Sequence, residues 1–315
     1  MDVLRTPDEC FDDLVDCPYP PRYTCVDGRL RVHHLEDGPE DGPPVVLLHG
    51  PPAWSYSWRK VMPIVAAAGY RVLAPDLVGF GRSDKPVVPE KQTAAFHVEW
   101  VSSWLADLDL RNVTLVSQGL GTMIGLRVVA SHPSRFSALC IAGGYLPAGD
   151  RPLGLRFAAW DLFARFSPYY NFGWAVQVGC KRRLSASERA AYEMPFPTTG
   201  HSFGARELTR LVPREPDGPE AGDNKRAWSV LVSFEKPVVC AFGSKDTIFE
   251  GAAEVIKQRI PGATGRDHTT LEAGHFVQED APEELARIII ETAAAGRLAR
   301  ESRSSMDSAA TTPAE

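Results

Sequence analysis

Three separate stretches of the sequence carry residue types that hydrolytic enzymes use. Gly119 stands at the centre of the stretch SQGLG, Asp246 follows an apolar strand-like run, and His275 lies in the stretch EAGHF before a helical pattern. A carboxylate beside an imidazole fixes the tautomer of the ring and stabilises its charged form, so that the histidine can accept a proton. The residue types and their order predict that Asp246 and His275 form an acid–base pair.

The stretch SQGLG, residues 117–121, has the pattern of a nucleophile elbow. It follows the strand-like run VTLV and precedes the helix-like TMIGLRVVASHP, and small residues on both sides of the tip let the strand and the helix approach closely. A Ser, Cys or Asp at the tip would be the nucleophile, but Gly119 has only a hydrogen atom there. The sequence therefore predicts the turn without its reacting group; an ordinary strand-to-helix turn is the alternative.

The order of tip, acid and base along the chain is that of the α/β-hydrolase fold. In that fold, the loop after an earlier strand and the residue after the tip each supply a backbone N–H to an oxyanion hole. The corresponding loop here is His49-Gly50-Pro51-Pro52, which follows the apolar run VVLL. Because proline has no N–H, Pro51 in that place removes one of the two donors.

Short apolar runs alternate with longer helical patterns, which predicts a parallel sheet flanked by helices on both faces. The predicted core strands are Val45–Leu48, Arg71–Ala74, Val113–Val116, Ala138–Ala142 and Pro237–Phe242. Two further runs, Tyr23–Cys25 and Leu30–His34, are separated by Asp27-Gly28 and predict a hairpin that leads into the sheet. We therefore expect an α/β-hydrolase fold with a mostly parallel central sheet and an inserted helical cap.

The sequence pattern changes between Leu146 and about Asn224, where aromatic residues and arginines accompany helical pieces broken by proline and glycine. We expect residues 147–224 to form the cap, inserted into a core of residues 1–146 and 225–297. The small and polar segment ESRSSMDSAATTPAE at the end predicts a disordered tail over residues 298–315.

Composition argues against several classes of protein. The chain has 315 residues, of which 44% are hydrophobic and 23% charged, as in globular proteins with a sizeable core. Its formal net charge of −6 gives no reason to expect nucleic acid or an anionic membrane as a partner. No apolar run has the length of a membrane span, and the first residues lack a signal-peptide pattern, so we expect a cytoplasmic protein.

The six cysteines form no CxxC pair and no zinc-finger spacing. Cys140 and Cys240 lie in apolar strand-like runs, where a free cysteine behaves as a small hydrophobic residue. We expect no metal, no cofactor and free thiols, with a disulfide among Cys10, Cys17 and Cys25 as the alternative.

Longer motifs extend a similarity over nearly the whole chain up to the tail. HGPPAWSYSWRKVMP, residues 49–63, resembles HGEPTWSYLYRKMIP of the haloalkane dehalogenases, and RVLAPDLVGFGRSDKP, residues 71–86, is close to the signature of that family. AGHFVQED around His275 and MPFP at residues 194–197 are similar to family segments as well. The chain resembles the subfamily in which the acid follows the later strand.

The resemblance implies a two-step reaction. An aspartate at the elbow tip displaces halide and forms an alkyl ester, which the His–Asp pair then hydrolyses by activating water. Two tryptophan N–H groups hold the leaving halide. On this chain the resemblance places the acid at Asp246, the base at His275 and the cap tryptophan at Trp160.

Three positions depart from the family pattern. Where the family has VQDWG and HGEP, Gly119 replaces the nucleophilic aspartate, Leu120 replaces the other halide-binding tryptophan, and Pro51 replaces the glutamate. An isobutyl group donates no hydrogen bond, and proline has no backbone N–H. We therefore expect Pro51, Leu120 and Trp160 to contact a ligand, in a site that has lost its nucleophile and two hydrogen-bond donors.

Three functions remain open at this point. The chain could bind a small apolar molecule, such as a halogenated alkane, without dehalogenase activity; it could be a hydrolase or lyase that uses the His–Asp pair without a covalent step; or it could be an active dehalogenase with a nucleophile elsewhere. Ser117 is two residues from the tip and should point in another direction. Asp280 is expected to cap the last helix, and Glu99 and Asp76 are interpreted as structural charges.

Overall fold

The alternating apolar and helical segments fold into one central sheet with helices on both faces. The structure is a computed structural model that describes residues 2–88, 90, 92–151, 154–167 and 170–310. The strands are β1 Val3–Leu4, β2 Arg22–Val26, β3 Leu30–Asp37, β4 Pro44–Leu48, β5 Arg71–Pro75, β6 Lys85–Pro86, β7 Val113–Gln118, β8 Phe136–Ala142, β9 Val238–Gly243 and β10 Thr269–Leu271. The helices are α1 Met62–Ala67, α2 Ala94–Asp107, α3 Gly121–Ser131, α4 Leu155–Phe166, α5 Phe172–Gly179, α6 Ala186–Glu193, α7 Phe203–Glu207, α8 Ala221–Leu231, α9 Ala252–Arg259, α10 Val277–Asp280 and α11 Pro282–Ala310.

The central sheet has eight strands in the order β10-β9-β8-β7-β4-β5-β3-β2. The five pairs from β10 to β5 are parallel, and β3 pairs antiparallel with both β5 and β2. All five predicted core strands and the hairpin are therefore confirmed, with shifted ends. The fold is an α/β-hydrolase fold, and the strands that carry the elbow and the acid lie in its parallel part.

Helices on the two faces of the sheet bury two apolar clusters. On one face, α1 and α11 pack over the sheet around Val65, Leu285 and Ile289. On the other face, α2, α3 and α8 cover a second cluster that includes Met123 and Leu231. Because both faces are covered, the inner strands have apolar residues at successive positions, as parallel sheets require.

Among the described residues between β8 and β9, helices α4 to α7 lie in the segment expected to form the cap, and α8 begins there and continues beyond it. Helix α6 begins with a capping box, in which the Ser185 side chain and the Glu188 side chain each accept a backbone N–H of the other residue. The boundary expected between residues 224 and 225 falls inside α8.

The structure also bears on the expected tail, the cysteines and the membrane span. Helix α11 continues through residues 298–310, where a disordered tail was expected, since its alanines, glutamate and arginines are strong helix formers; residues 311–315 lie outside the described part of the chain. All six cysteines are free, so the N-terminal disulfide is wrong. No helix in the described ranges is both long and apolar enough to cross a membrane.

Candidate functional site

Strand β7 ends in a tight turn whose tip is Gly119. Gly119 has φ of +56°, a conformation that favours glycine, and its N–H donates to Gly143 O at 2.7 Å. A Cβ built on Gly119 would lie 3.2 Å from Nε2 of His275 and 4.0 Å from Cα of Gly50. The tip of the elbow therefore faces the imidazole, at the place from which a nucleophile would react.

The structure brings Asp246 and His275 together although they are 29 residues apart in sequence. Asp246 follows β9, His275 lies between β10 and α10, and Oδ2 of the carboxylate is 3.0 Å from Nδ1 of the imidazole. Oδ1 of Asp246 accepts the backbone N–H groups of Ile248 and Phe249. Burial alone would raise the pKa of Asp246, but the attraction of His275 and these hydrogen bonds outweigh it and hold the pKa below its ordinary value.

Gln118, the residue before the tip, occupies the other side of the imidazole. Its Nε2 lies 3.1 Å from the backbone oxygen of His275, to which it donates, and 2.9 Å from Nε2 of the same ring. Because the amide nitrogen is a donor, Nε2 of His275 accepts, and Nδ1 carries the proton that is donated to Asp246. The sequence analysis missed this contact; the glutamine shared by SQGLG and the family pattern VQDWG was the available signal.

The loop that carries His275 is fixed by Asp280. The Asp280 carboxylate accepts the N–H groups of Gly274 and Lys181 at 2.7 Å each and that of Arg182 at 2.9 Å. The N–H of His275 donates to Gly179 O at 2.7 Å. The expectation that Asp280 caps the last helix is therefore wrong, because its oxygens bind the histidine loop and the chain after α5 instead.

The loop His49–Pro52 packs against the elbow, and its close approach requires glycine. A Cβ on Gly121 would lie 2.2 Å from His49 O. Pro51 borders the cavity described below and offers no N–H to it. Leu120 also borders the cavity, and no acceptor among the described residues takes its N–H. One of the two expected oxyanion donors is thus present and the other is absent.

A cavity of about 490 Å³ opens over the elbow and the His–Asp pair. Trp160 and Phe249 are part of its wall, and the ring centroid of Phe249 lies 5.6 Å from that of His275. The lining is otherwise mostly apolar, and Asp246 is the one carboxylate among its described residues. Further lining residues are Pro52, Phe157, Phe163, Trp174, Val178, Cys180, Lys181, Lys245, Ile248 and Phe276.

Ser117, Glu99 and Asp76, the other residues weighed from the sequence, are not among the described residues that line this cavity. Ser117 is buried within β7, and Glu99 is exposed on α2. Asp76 is fully buried and bonded to His33, Ser55 N and Arg82 N, which agrees with its interpretation as a structural charge.

Comparison with known proteins agrees with this geometry. The alpha/beta hydrolase fold family matches residues 43–177. A haloalkane dehalogenase of Mycolicibacterium paratuberculosis is 46% identical over 92% of this chain and 98% of its own length, and haloalkane dehalogenase 1 of Mycobacterium tuberculosis H37Rv is 48% identical over 91% and 97%. The solved haloalkane dehalogenase of Paraglaciecola agarilytica NO2 is 31% identical, with a TM-score of 0.85 over 91% of this chain and 97% of that one. The chain therefore belongs to the haloalkane dehalogenase family of α/β hydrolases.

Proposed function

We propose that this protein has lost the covalent dehalogenase reaction and binds a small apolar molecule, such as a halogenated alkane, in the cavity. The observation that carries the proposal is the hydrogen atom of Gly119, placed where a side chain would contact His275 Nε2. Covalent displacement of halide requires an oxygen, nitrogen or sulfur nucleophile at that place. A glycine supplies none.

No other carboxylate takes over this role among the described residues that line the cavity. Asp246 is the one acid there, and both of its oxygens already accept hydrogen bonds, from the imidazole on one side and from backbone N–H groups on the other. Attack by Asp246 would therefore dismantle the pair that must later activate water.

The losses at Leu120 and Pro51 weaken the same reaction further. Leu120 cannot hold a leaving halide by a hydrogen bond, and removing one oxyanion-hole donor, as at Pro51, lowers rates on the order of a hundredfold or more. The three changes affect three different groups that serve one reaction. This combination supports loss of the reaction more strongly than any one change.

The cavity supports a ligand-binding function by itself. Its volume of about 490 Å³ is within the range of small-molecule sites, and its lining of aromatic and aliphatic side chains is typical of them. We propose that residues 147–224 act as the cap over this site and that Trp160, Leu120 and Pro51 contact the ligand.

A second candidate is an enzyme that uses Asp246 and His275 as a general base without a covalent intermediate. The distance of 3.0 Å between Nδ1 and Oδ2 favours it, and such a base contributes about 10²–10⁴-fold to a rate. Against it, Nε2 of the imidazole, which would accept the proton, already accepts the Gln118 amide. The family relatives named as dehalogenases keep a third candidate open, a dehalogenase with a nucleophile elsewhere.

Halide release tests the proposal. We expect the wild type to release no bromide from 1,2-dibromoethane above the buffer rate, while calorimetry detects binding of 1-bromohexane. Gly119→Asp should recover little activity, and the triple variant with Leu120→Trp and Pro51→Glu should exceed it by roughly a hundredfold, because it restores the lost donors as well.

Two results would contradict the proposal. Bromide release by the wild type that disappears in His275→Ala would support the second candidate. An alkylated peptide found by mass spectrometry after reaction with 1,2-dibromoethane would support the third and identify the nucleophile.

A further inference from the structure

We propose that the ligand of the cavity is an aliphatic carboxylate whose head group occupies the place beside His275 that Gly119 leaves open. This inference rests on the proposed function, since a covalent enzyme would fill the same place with its own side chain. The ligand enters with its head group at the elbow and its alkyl chain toward the cap.

The first observation is the empty direction of Gly119. Among the described atoms, those within 4 Å of a Cβ built there are His275 Nε2 at 3.2 Å, His275 Cε1 at 3.6 Å and Gly50 Cα at 4.0 Å. The space beyond it opens to the cavity, which is also bordered by His275 and Leu120. A carboxylate at the end of a ligand can therefore approach the imidazole as an aspartate side chain would.

The second observation is the set of polar groups around that space. The N–H of Leu120 has no acceptor among the described residues, and it stands at the start of the 11-residue helix α3, whose N-terminus favours an anion. Gln118 is fully buried beside the same ring, and its Oε1 has no hydrogen-bond partner in the described part of the chain. The site thus has a donor for a carboxylate oxygen in the Leu120 N–H.

The third observation is the distribution of charge. Asp246 lies on the far side of His275, with both oxygens already bonded, so a ligand carboxylate meets no free carboxylate. An acid that enters protonated transfers its proton to Nε2 of His275 at the cost of the hydrogen bond that this nitrogen accepts from the Gln118 amide, and the imidazolium then lies between the ligand carboxylate and Asp246. The Gln118 amide keeps the backbone oxygen of His275 as its acceptor. No covalent bond other than the O–H and N–H is changed.

The remaining lining fits an alkyl chain. Phe157, Phe163, Trp174, Val178 and Phe249 also border the cavity, and methylenes placed among such groups bind more tightly because they leave water. Lys245 borders the cavity on an exposed segment, and its charge attracts an anion during entry. Lys181 borders the cavity as well, but its ammonium pairs with Glu272 at 2.5 Å.

Isothermal titration calorimetry of the full chain with hexanoate, hexan-1-ol and 1-bromohexane tests the inference. Hexanoate should bind at least about tenfold more tightly than hexan-1-ol, because the two share the alkyl chain and differ in the charge-assisted hydrogen bonds. Gly119→Asp should weaken hexanoate at least about tenfold, since its own carboxylate fills the place, and should change hexan-1-ol binding much less.

Gly28→Asp is the matched control, because Gly28 has a similar φ of +62° and open space around it in the hairpin turn. It adds the same charge on the same kind of backbone away from the cavity, so hexanoate binding should stay within about twofold of the wild type. If Gly119→Asp does not fold, Gly119→Ala gives the same test, because its methyl group fills the space next to Nε2.

The outcomes separate this inference from the proposed function. If hexan-1-ol and 1-bromohexane bind as tightly as hexanoate, the carboxylate proposal is overturned and the apolar site remains. Normal binding of hexanoate by Gly119→Asp would have the same meaning. Displacement of hexanoate by an equal concentration of sodium bromide would overturn the carboxylate proposal in favour of a halide site. Failure of all three compounds to bind would overturn the proposed function itself.

Discussion

The described part of the chain contains two buried His–Asp pairs that are alike in chemistry and differ in surroundings. His33 and Asp76 are joined by Nδ1 and Oδ2 at 2.7 Å, and both side chains are fully buried. His275 and Asp246 are joined through the same atoms at 3.0 Å. Both carboxylates also accept two backbone N–H groups, so neither the pairing nor the hydrogen-bond number distinguishes them.

What distinguishes the pairs is the place of the second ring nitrogen. Nε2 of His33 is buried and has no hydrogen-bond partner in the described residues, whereas the His275 ring borders a cavity large enough for a ligand and faces the elbow tip. A His–Asp pair therefore does not by itself indicate catalysis. Asp76 accepts Ser55 N and Arg82 N and so holds two loops in place, which is sufficient reason to keep such a pair.

The same substitution in both pairs should separate them most clearly. In Asp76→Asn either orientation of the amide points its NH2 group at a backbone N–H, because Oδ1 accepts Ser55 N and Oδ2 accepts Arg82 N. In Asp246→Asn the NH2 group faces only the imidazole, whose tautomer can change at the cost of the Gln118 hydrogen bond. We expect urea unfolding to show a loss of about 3–5 kcal/mol for Asp76→Asn and about 1–2 kcal/mol for Asp246→Asn.

The loss at Asp76 should also depend on pH. Burial opposes ionisation of Asp76, but His33 and the hydrogen bonds outweigh it and hold its pKa well below the ordinary value. Its contribution to stability is therefore complete above about pH 4, the pKa of an unfolded aspartate, and declines as the pH falls toward the folded value. Equal losses for the two asparagine variants, or a loss at Asp76 that does not shrink in acid, would contradict this comparison.

A smaller effect is expected at the elbow tip. Gly119 and Gly28 have similar φ values of +56° and +62°, but an alanine methyl would contact His275 at residue 119 and nothing within 4 Å at residue 28. In both alanine variants the free energy of unfolding should fall by roughly 1 kcal/mol or more, because a positive φ strains the alanine backbone. Thermal unfolding should show that the loss of unfolding free energy is up to about 1 kcal/mol larger in Gly119→Ala than in Gly28→Ala. A smaller loss at residue 119 than at residue 28 would mean that the imidazole moves away freely.

The smallest effect is expected at His97, a buried histidine that, among the described residues, has no carboxylate partner. Neither ring nitrogen of His97 has a hydrogen-bond partner among the described residues, and burial lowers the pKa of His97 to about 3. Between pH 3 and 6.5 the unfolded chain therefore binds a proton that the folded chain does not, so stability falls as the pH is lowered through this range. His97→Phe should remove this contribution while changing stability at pH 7 by less than about 1.5 kcal/mol.

The measurement is the dependence of unfolding free energy on pH near 5. His34 and His49, whose pKa values burial lowers to about 4, titrate in the same direction. The number of protons taken up on unfolding by these three histidines should fall from about three in the wild type to about two in His97→Phe. An unchanged slope would show that His97 is protonated in the folded protein.

Much of the fold could be predicted from the sequence because its information is local. Apolar runs such as Val45–Leu48, short and bounded by turn residues, are typical of strands covered on both faces. Their ends could not be predicted in the same way: β7 continues to Gln118 because Gln118 still pairs with the neighbouring strand. The end of the last helix was not predicted either: α11 continues through Ala310 into the expected tail.

The sequence by itself determined which groups are missing from the site. The hydrogen atom of Gly119, the isobutyl group of Leu120 and the absent N–H of Pro51 are properties of single residues and need no coordinates. It also predicted the pair of Asp246 and His275 from their order after two strands.

Only the tertiary structure decided what surrounds these groups. It placed the amide of Gln118 against His275, 157 residues away, turned Asp280 toward the histidine loop, and put one of two similar His–Asp pairs at a cavity and the other in the interior. The physical reason is that contacts between distant residues depend on how the strands and helices pack.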